Sequence, residues 1–222
     1  MNLLAQDFIT GGFEERKNKA IAELKKFNRQ DTARANALFS VASVALIQKQ
    51  RKELLPYFEE AIALCRNLNY AEGLAKCYLW KGQFQRGVNN RDSAHIYYDS
   101  VISLAGSSPN SPLAKQRADA NWMKAWLYNE QENFYTALNH FFEALKYYEA
   151  HPGTNTMHLY TIISNTYYRV NNIQQAIVYS EKMQPWLKKI PAKCCRPRHM
   201  LHWRGYILTK ENWTKPHFTL IK

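Results

Sequence analysis

Residues 118–151 read ADANWMKAWLYNEQENFYTALNHFFEALKYYEAH, and they carry the clearest structural pattern of the sequence. Apolar side chains recur every three or four residues through 118–129 and again through 134–148, which is the period of an amphipathic helix. The polar run 130–133 separates the two segments, and Asn133 is a good N-cap for the second. Small and aromatic residues alternate, so that a ring of one helix can pack on a small residue of the other. The stretch therefore predicts a helical hairpin.

The same order of small and large residues returns three more times along the chain. Successive anchor positions follow at steps of 40, 43 and 39 residues, and they are Leu54, Ala94, Ala137 and Ala176. A small residue stands twelve positions before each anchor: Ala42, Gly82, Ala125 and Ser164. Seven positions after it stand Ala61, Val101, Ala144 and Met183; four positions after it stand Phe58, Tyr98, Phe141 and, as the exception, Ser180. Such fixed offsets predict stacked, equivalent hairpins.

This order of side chains resembles the tetratricopeptide repeat (TPR) family over residues 35–189. The repeat at 118–151 matches the family's positions best, at Tyr128, Ala137, Phe141 and Ala144. The periods exceed the family's period of about 34 residues, which implies longer helices or linkers. The resemblance implies an all-α, right-handed superhelical TPR solenoid of about four helical hairpins plus capping helices.

The chain is predicted to divide into three parts. Residues 1–30 form an N-terminal segment with a capping helix at 14–27, residues 31–190 form the TPR array, and residues 191–222 form a basic, incomplete fifth repeat. Asp31 is predicted to cap the first helix of the array, and Ser111 is predicted as an N-cap with Pro112 at the first helical position. An incomplete last repeat leaves apolar surface uncovered. This pattern is expected either for a chain that is shorter than its relatives or for one that docks a partner or self-associates there.

Two segments are similar to the TPR input regions of bacterial two-component sensor kinases and regulators. They are DTARANALFSVASVAL at 31–46 and EEAIALCRNLNYAEGLAKCYLWKG at 59–82. The resemblance implies a sensory or interaction role in a bacterial signalling system. The sequence shows no kinase, receiver or DNA-binding motif after its repeats, so the output function of those proteins is not implied.

Composition agrees with a continuous helical core, since 46% of the residues are hydrophobic and 14% are aromatic. No run of 18 apolar residues is present, so no membrane span is predicted. Cys65 and Cys77 fall within helical apolar patterns and are predicted to be buried thiols, with no disulfide framework. A cytoplasmic location is expected, with the periplasm as the alternative if a signal peptide lies upstream.

The formal charge of +12 is concentrated near the end of the chain. From Lys182 onward there are ten Lys or Arg residues and one acidic residue, a net charge of +9. Aromatic residues are interleaved with these basic residues, and nucleic-acid binders use this composition. An alternative function is therefore a nucleic-acid-associated regulator that uses the tail, although nucleic acid is the less favoured partner.

The sequence contains no known catalytic motif and no common metal-binding motif. It contains no GxSxG, HExxH, P-loop or GxGxxG motif, so no enzyme and no cofactor are predicted. One metal-like cluster is present, made of Cys194, Cys195, His199 and His202. Its spacing matches none of the common zinc patterns, so no metal site is predicted.

The favoured candidate site is the inner groove of the array, because the first helix of each TPR hairpin lines a concave surface. The residues that the resemblance assigns to this groove are Lys76, Leu79, Gln83, Arg86, Trp122, Trp126, Asn129, Thr161, Asn165, Tyr168 and Arg169. Asn side chains can pair with both polar groups of a peptide backbone, and Lys76, Arg86 and Arg169 can hold carboxylates. Trp122 and Trp126 offer flat apolar area, although packing between repeats is the alternative for Trp126. The resulting hypothesis is a non-enzymatic scaffold that binds a protein or peptide.

Overall fold

The computed structural model describes the backbone of residues 3–44 and 54–183 and the side chains of residues 12–44 and 54–183. Every regular element within these ranges is an α-helix. In chain order the helices are α1 (Leu3–Leu24), α2 (Thr32–Ser43), α3 (Leu55–Asn67), α4 (Ala71–Gly87), α5 (Arg91–Ala105), α6 (Ala114–Glu130), α7 (Phe134–Ala150), α8 (Thr154–Arg169) and α9 (Ile173–Lys182). The predicted fifth repeat and the basic tail from residue 184 onward lie outside the described residues.

The helices pack as four consecutive antiparallel pairs. α2 packs on α3, α4 on α5, α6 on α7 and α8 on α9, and α1 packs on α2. Each hairpin also meets the next one, because α3 contacts α4, α5 contacts α6 and α7 contacts α8. This stacking of equivalent pairs confirms the predicted all-α solenoid of four hairpins.

The predicted register is visible in the burial of the side chains. The anchor and its three companion positions are buried in all four hairpins. At the second hairpin the contact is especially close: a Cβ added at Gly82 would lie 2.6 Å from the ring of Tyr98. The small residue is therefore needed for the two helices of this hairpin to approach each other.

Three of the hairpin turns share one conformation. The residue five positions before the anchor has a positive φ: Asn89 (62°), Glu132 (61°) and Asn171 (59°). The following residue is Asn90, Asn133 or Asn172, whose side-chain oxygen accepts a hydrogen bond from the backbone N–H three residues later, at 3.2, 3.4 and 3.2 Å respectively. Asparagine tolerates the left-handed region and caps helices well, so the sequence stops one helix and starts the next within a few residues.

An equivalent ion pair joins successive hairpins at the first two junctions. Lys81 of α4 pairs with Glu59 of α3, and Lys124 of α6 pairs with Asp99 of α5. The two lysine side chains are only 12% and 13% exposed, so their aliphatic stems pack between helices while the ammonium groups reach carboxylates at the rim. The equivalent residues of the third junction are Ile163 and Phe142.

Two local predictions need correction, and one is confirmed. α6 begins at Ala114 with Leu113 as its N-cap, so the assignment of Ser111 and Pro112 to the start of this helix is wrong. Ser111 instead closes the α5–α6 loop, because its Oγ donates to the carbonyl of Ala105 (2.8 Å) and accepts from the N–H of Leu113 (3.2 Å). Asp31 caps α2 as predicted. The capping helix was predicted at 14–27, whereas α1 spans Leu3–Leu24 and so starts well before residue 14.

Candidate functional site

All the predicted groove residues lie on the first helices of hairpins two, three and four, which are α4, α6 and α8. α2 packs beside α4, and α4 packs beside α6. We define the first-helix surface by three positions on each of the helices α4, α6 and α8. These positions lie fifteen, eleven and eight residues before the anchor of the same hairpin. Its residues are Leu79, Gln83, Arg86, Trp122, Trp126, Asn129, Thr161, Asn165 and Tyr168. All nine side chains keep some exposure to solvent, so the surface is accessible.

The α4 and α6 parts of this surface are linked by direct contacts. The side-chain amide of Gln83 donates to the sulfur of Met123 at 3.2 Å. The guanidinium of Arg86 lies 5.8 Å from the ring centre of Trp126 and pairs with the carboxylate of Glu130. These contacts fix the position of the second hairpin relative to the third.

The α6 and α8 parts are linked in the same manner. The hydroxyl of Thr166 donates to the carbonyl of Ile162 on its own helix at 2.8 Å and lies 3.4 Å from the side-chain oxygen of Asn129. Arg169 lies 3.3 Å from the carboxylate of Glu132, and its guanidinium lies 4.3 Å from the ring centre of Phe134. The predicted residues Asn129 and Arg169 therefore join the third hairpin to the fourth.

The two tryptophans of the surface have structural partners. Trp122 meets Tyr148 edge to face with ring centres 5.7 Å apart, and Trp126 meets Phe141 in the same way at 6.2 Å. Both side chains are half-buried, so each ring packs on α7 and leaves part of its area exposed. The buried Nε1–H of Trp122 has no hydrogen-bond acceptor within the described ranges.

The predicted basic residues already face carboxylates of the same chain. Lys76 lies 2.7 Å from Glu72 on its own helix, and this hydrogen bond raises the pKa of the lysine. Arg86 and Arg169 are paired with Glu130 and Glu132, as described above. A partner's carboxylate would therefore have to displace an existing ion pair. Such exchange is inexpensive, since pairs of this exposure contribute about 0–1 kcal/mol.

The amide of Asn165 and the ring of Tyr168 complete the surface on α8. Asn165 is half-buried, and its side chain forms no hydrogen bond with the residues that the structure describes. Its donor and acceptor therefore remain available to the backbone of a partner. Tyr168 is 36% exposed. These residues offer polar and aromatic contacts without charge.

A half-buried polar stack between the second and third hairpins was missed by sequence reasoning. The ring of Tyr128 lies 4.8 Å from His95 and 5.4 Å from His140, and its plane is 5° from that of His140. Nδ1 of His140 is 2.9 Å from the side-chain oxygen of Asn121. Burial lowers the pKa of both histidines, and the positive charge of Lys124 lowers it further. A histidine on an apolar helical face carries no motif, so no sequence signal distinguished this stack from ordinary core.

The described part of the chain shows neither a metal-binding cluster nor a membrane-spanning helix. Among residues 12–44 and 54–183, no group of three or more His, Cys, Asp or Glu side chains is placed to hold a metal ion. The cysteine and histidine cluster at 194–202 lies outside the described residues. None of the described helices combines the length and apolar character needed to cross a bilayer.

Comparison with known proteins shows the fold of the chain. No family model and no curated protein matches its sequence. BtubC (BKLC) from P. vanneervenii is similar in structure, with a TM-score of 0.72 and 14% identity over 88% of this chain and 81% of that one. The apo form of RapI is also similar, with a TM-score of 0.72 and 15% identity over 93% of this chain and 56% of that one. At such low identity the likeness shows a TPR-like helical repeat fold.

The chain therefore spans little more than half the length of RapI. The resemblance to signalling input regions rests on the sequence segments at 31–46 and 59–82 alone.

Proposed function

We propose that this protein is a non-enzymatic scaffold whose first-helix surface captures an extended segment of a protein partner. The resemblance of residues 31–46 and 59–82 to signalling input regions supports a role as the interaction part of a bacterial signalling system. Repeat folds serve many roles, so the proposal is based on the side chains of the first-helix surface and not on the fold.

The observation that supports the proposal most strongly is the alignment of equivalent side chains on α4, α6 and α8. The residues eleven positions before the anchors are Gln83, Trp126 and Asn165. Two of them carry amides, which pair with a peptide backbone regardless of its sequence, and the tryptophan between them offers flat apolar area. Equivalent positions on successive helices suit a partner that runs along the array as an extended chain.

The electrostatics of the surface favour a partner recognised by backbone and apolar groups. Arg86 and Arg169 are neutralised by Glu130 and Glu132, so a charged segment meets no unpaired cation at these two positions. A partner carboxylate that does bind here replaces one surface ion pair by another, which changes the affinity little. Affinity must then come from the tryptophans and from the amide of Asn165.

The proposal is tested with peptides selected on the immobilised protein by phage display. Binding of a selected peptide is measured by calorimetry for the wild type and for the double variant Asn165→Ala and Arg169→Ala. We expect the double variant to bind at least tenfold more weakly, because it removes the uncommitted amide of Asn165; the loss of Arg169, which already pairs with Glu132, should add little. Circular dichroism and the urea midpoint establish that each variant is folded.

Asn139→Ala is the matched control, since it removes an exposed asparagine from the second helix of a hairpin. It should bind as the wild type does. Equal affinities of the double variant and the control would exclude the first-helix surface as the peptide-binding site. Failure to select any peptide would exclude it as well. A salt titration of binding distinguishes the proposed peptide binding from the nucleic-acid alternative. The affinity for a nucleic acid falls steeply with salt, because phosphate contacts drive it, whereas the affinity of the groove for a peptide falls only mildly.

A further inference from the structure

A cavity of about 720 Å³ opens between the second and third hairpins, away from the first-helix surface. It lies between the C-terminal halves of α5 and α7, above the N-terminal half of α6. Its floor is made by Ala114, Ala118 and Asn121, and its walls include Arg117 and Tyr147. The volume falls within the range of roughly 300–1,000 Å³ that is usual for ligand sites.

The register explains why the cavity occurs at this junction. Asn121 stands sixteen residues before its anchor, and the equivalent residues of the second and fourth hairpins are Tyr78 and Tyr160. Tyr160 is buried and Tyr78 is half-buried between neighbouring helices. The third hairpin therefore has a short amide where the hairpins on either side have a phenol ring.

The tyrosines make equivalent contacts in both hairpins. The hydroxyl of Tyr78 accepts from Arg66 of the preceding hairpin (2.7 Å), and the hydroxyl of Tyr160 donates to Glu149 of the preceding hairpin (2.8 Å). Arg66 and Glu149 both stand twelve residues after an anchor, and the equivalent residue at the cavity is Gly106. Both the ring and its hydroxyl partner are thus replaced by small residues, and both replacements line the cavity.

A second ring contact is also changed at this junction. The ring of Tyr78 lies 6.0 Å from Tyr97, and the ring of Tyr160 lies 6.2 Å from Tyr179. The equivalent of Tyr97 and Tyr179 is His140, which stacks on Tyr128 and binds the side-chain oxygen of Asn121. The ring partner of the tyrosine is therefore replaced together with the tyrosine itself.

We propose that this cavity takes the aromatic side chain of a partner protein, a tyrosine in particular, in the place that Tyr78 and Tyr160 fill in the neighbouring hairpins. Asn121 is 7% exposed and uses one N–H for the carbonyl of Arg117 and one oxygen lone pair for His140. A primary amide has a second N–H and a second lone pair, which can bind the incoming hydroxyl.

The walls suit the ring of such a side chain. Tyr147 and His151 are stacked on each other with ring centres 4.3 Å apart, and both line the cavity. The guanidinium of Arg117 donates to the carbonyls of Gly106 and Ser108, which holds its plane in place at the wall. Aromatic edges and a fixed guanidinium attract the face of a ring.

The proposal is tested by NMR titration of the full chain with p-cresol, the side-chain analogue of tyrosine. We expect p-cresol to shift the side-chain amide of Asn121 and the backbone amide of Gly106, with a dissociation constant in the millimolar range. 4-Methylcyclohexanol, which has the same size and hydroxyl but no ring current or π-face, should bind several-fold more weakly. N-acetyl-L-tyrosinamide, which carries peptide groups on both sides, should bind at the same site.

Asn121→Tyr restores the residue of the neighbouring hairpins and should abolish these shifts. Ser103→Trp changes an exposed residue at the rim of the cavity, and its indole should block the entry of p-cresol without disturbing the core. This second variant tests the proposal even if Asn121→Tyr does not fold. Shifts that persist in either folded variant, equal binding of the saturated alcohol, or no binding of p-cresol would overturn the proposal. Binding of p-cresol without N-acetyl-L-tyrosinamide would also overturn it, because the cavity would then admit a free phenol and exclude a protein side chain.

Discussion

At the scale of single residues, the close approach of helices in the second hairpin depends on Gly82. Tyr98 is fully buried, so its ring cannot move aside for an added methyl group. We predict that Gly82→Ala lowers the free energy of unfolding by about 1–2 kcal/mol, because overpacking outweighs the gain in helix propensity. Urea denaturation measures the change.

Gly87 provides the matched control on the same helix. An added Cβ there meets nothing within 4 Å, so Gly87→Ala gains helix propensity without a clash. We expect it to raise the free energy of unfolding by up to about 1 kcal/mol. Changes of the same sign in both variants would show that the contact between Gly82 and Tyr98 is not tight.

The stack of His95, Tyr128 and His140 predicts a pH dependence of stability. Burial lowers the pKa of both histidines in the folded state, with Lys124 adding to the effect, so the unfolded chain binds protons more readily. The contribution to stability is complete above the unfolded pKa of about 6.5 and is lost as the pH falls below it. We therefore expect the free energy of unfolding to decrease from pH 7 to pH 5.

The measurement is urea denaturation across this pH range for the wild type and for His140→Gln, with His158→Gln, which changes an exposed histidine of α8, as the matched control variant. His140→Gln should show a shallower loss of stability, since one of the two proton-binding groups is removed while the amide of Asn121 keeps a hydrogen-bonding neighbour. Parallel pH profiles for the wild type and His140→Gln would contradict the assignment of the effect to this stack.

At the scale of helices and turns, the asparagine caps determine where each second helix begins. Asn133 caps α7 directly after Glu132, which has a positive φ. We predict that Asn133→Ala lowers the free energy of unfolding by about 1 kcal/mol, the usual effect of losing an N-cap. Asn139→Ala, within the same helix and exposed, should change it by no more than about 0.5 kcal/mol. Equal urea midpoints for the two variants would show that the cap contributes nothing.

Element boundaries were predictable from the sequence where a polar cap adjoins an apolar repeat. Asp31 and Asn133 satisfy this condition, and both cap helices in the structure. Ser111 has the right chemistry as well, but Arg117 binds the carbonyls of Gly106 and Ser108 and Ser111 binds that of Ala105. Because Ser111 takes part in these loop hydrogen bonds, it does not cap α6. No local sequence pattern indicates these hydrogen bonds.

At the scale of the whole molecule, the small and aromatic side chains at fixed offsets were sufficient to predict the array. They specify which faces are buried, and burial of apolar area is the main stabilising term in each hairpin. The offsets did not reveal that Arg86 and Arg169 pair with Glu130 and Glu132, because such pairs depend on the distance between neighbouring first helices. They also did not reveal the cavity, because Asn121 replaces the tyrosine of the equivalent positions without disturbing the offsets of the small and aromatic residues.

Equivalent positions in successive hairpins should have equivalent environments, and the accessibility of single cysteines measures this property. Single cysteines are placed at three anchors and, as controls, two positions after each of them, and their reaction with a thiol reagent is followed by peptide mass mapping. The anchor variants are Ala94→Cys, Ala137→Cys and Ala176→Cys; the controls are Ile96→Cys, Asn139→Cys and Val178→Cys. We predict that the folded protein protects all three anchors and leaves all three controls reactive. A reactive anchor or a protected control in a folded variant would contradict the stacking of the hairpins in register.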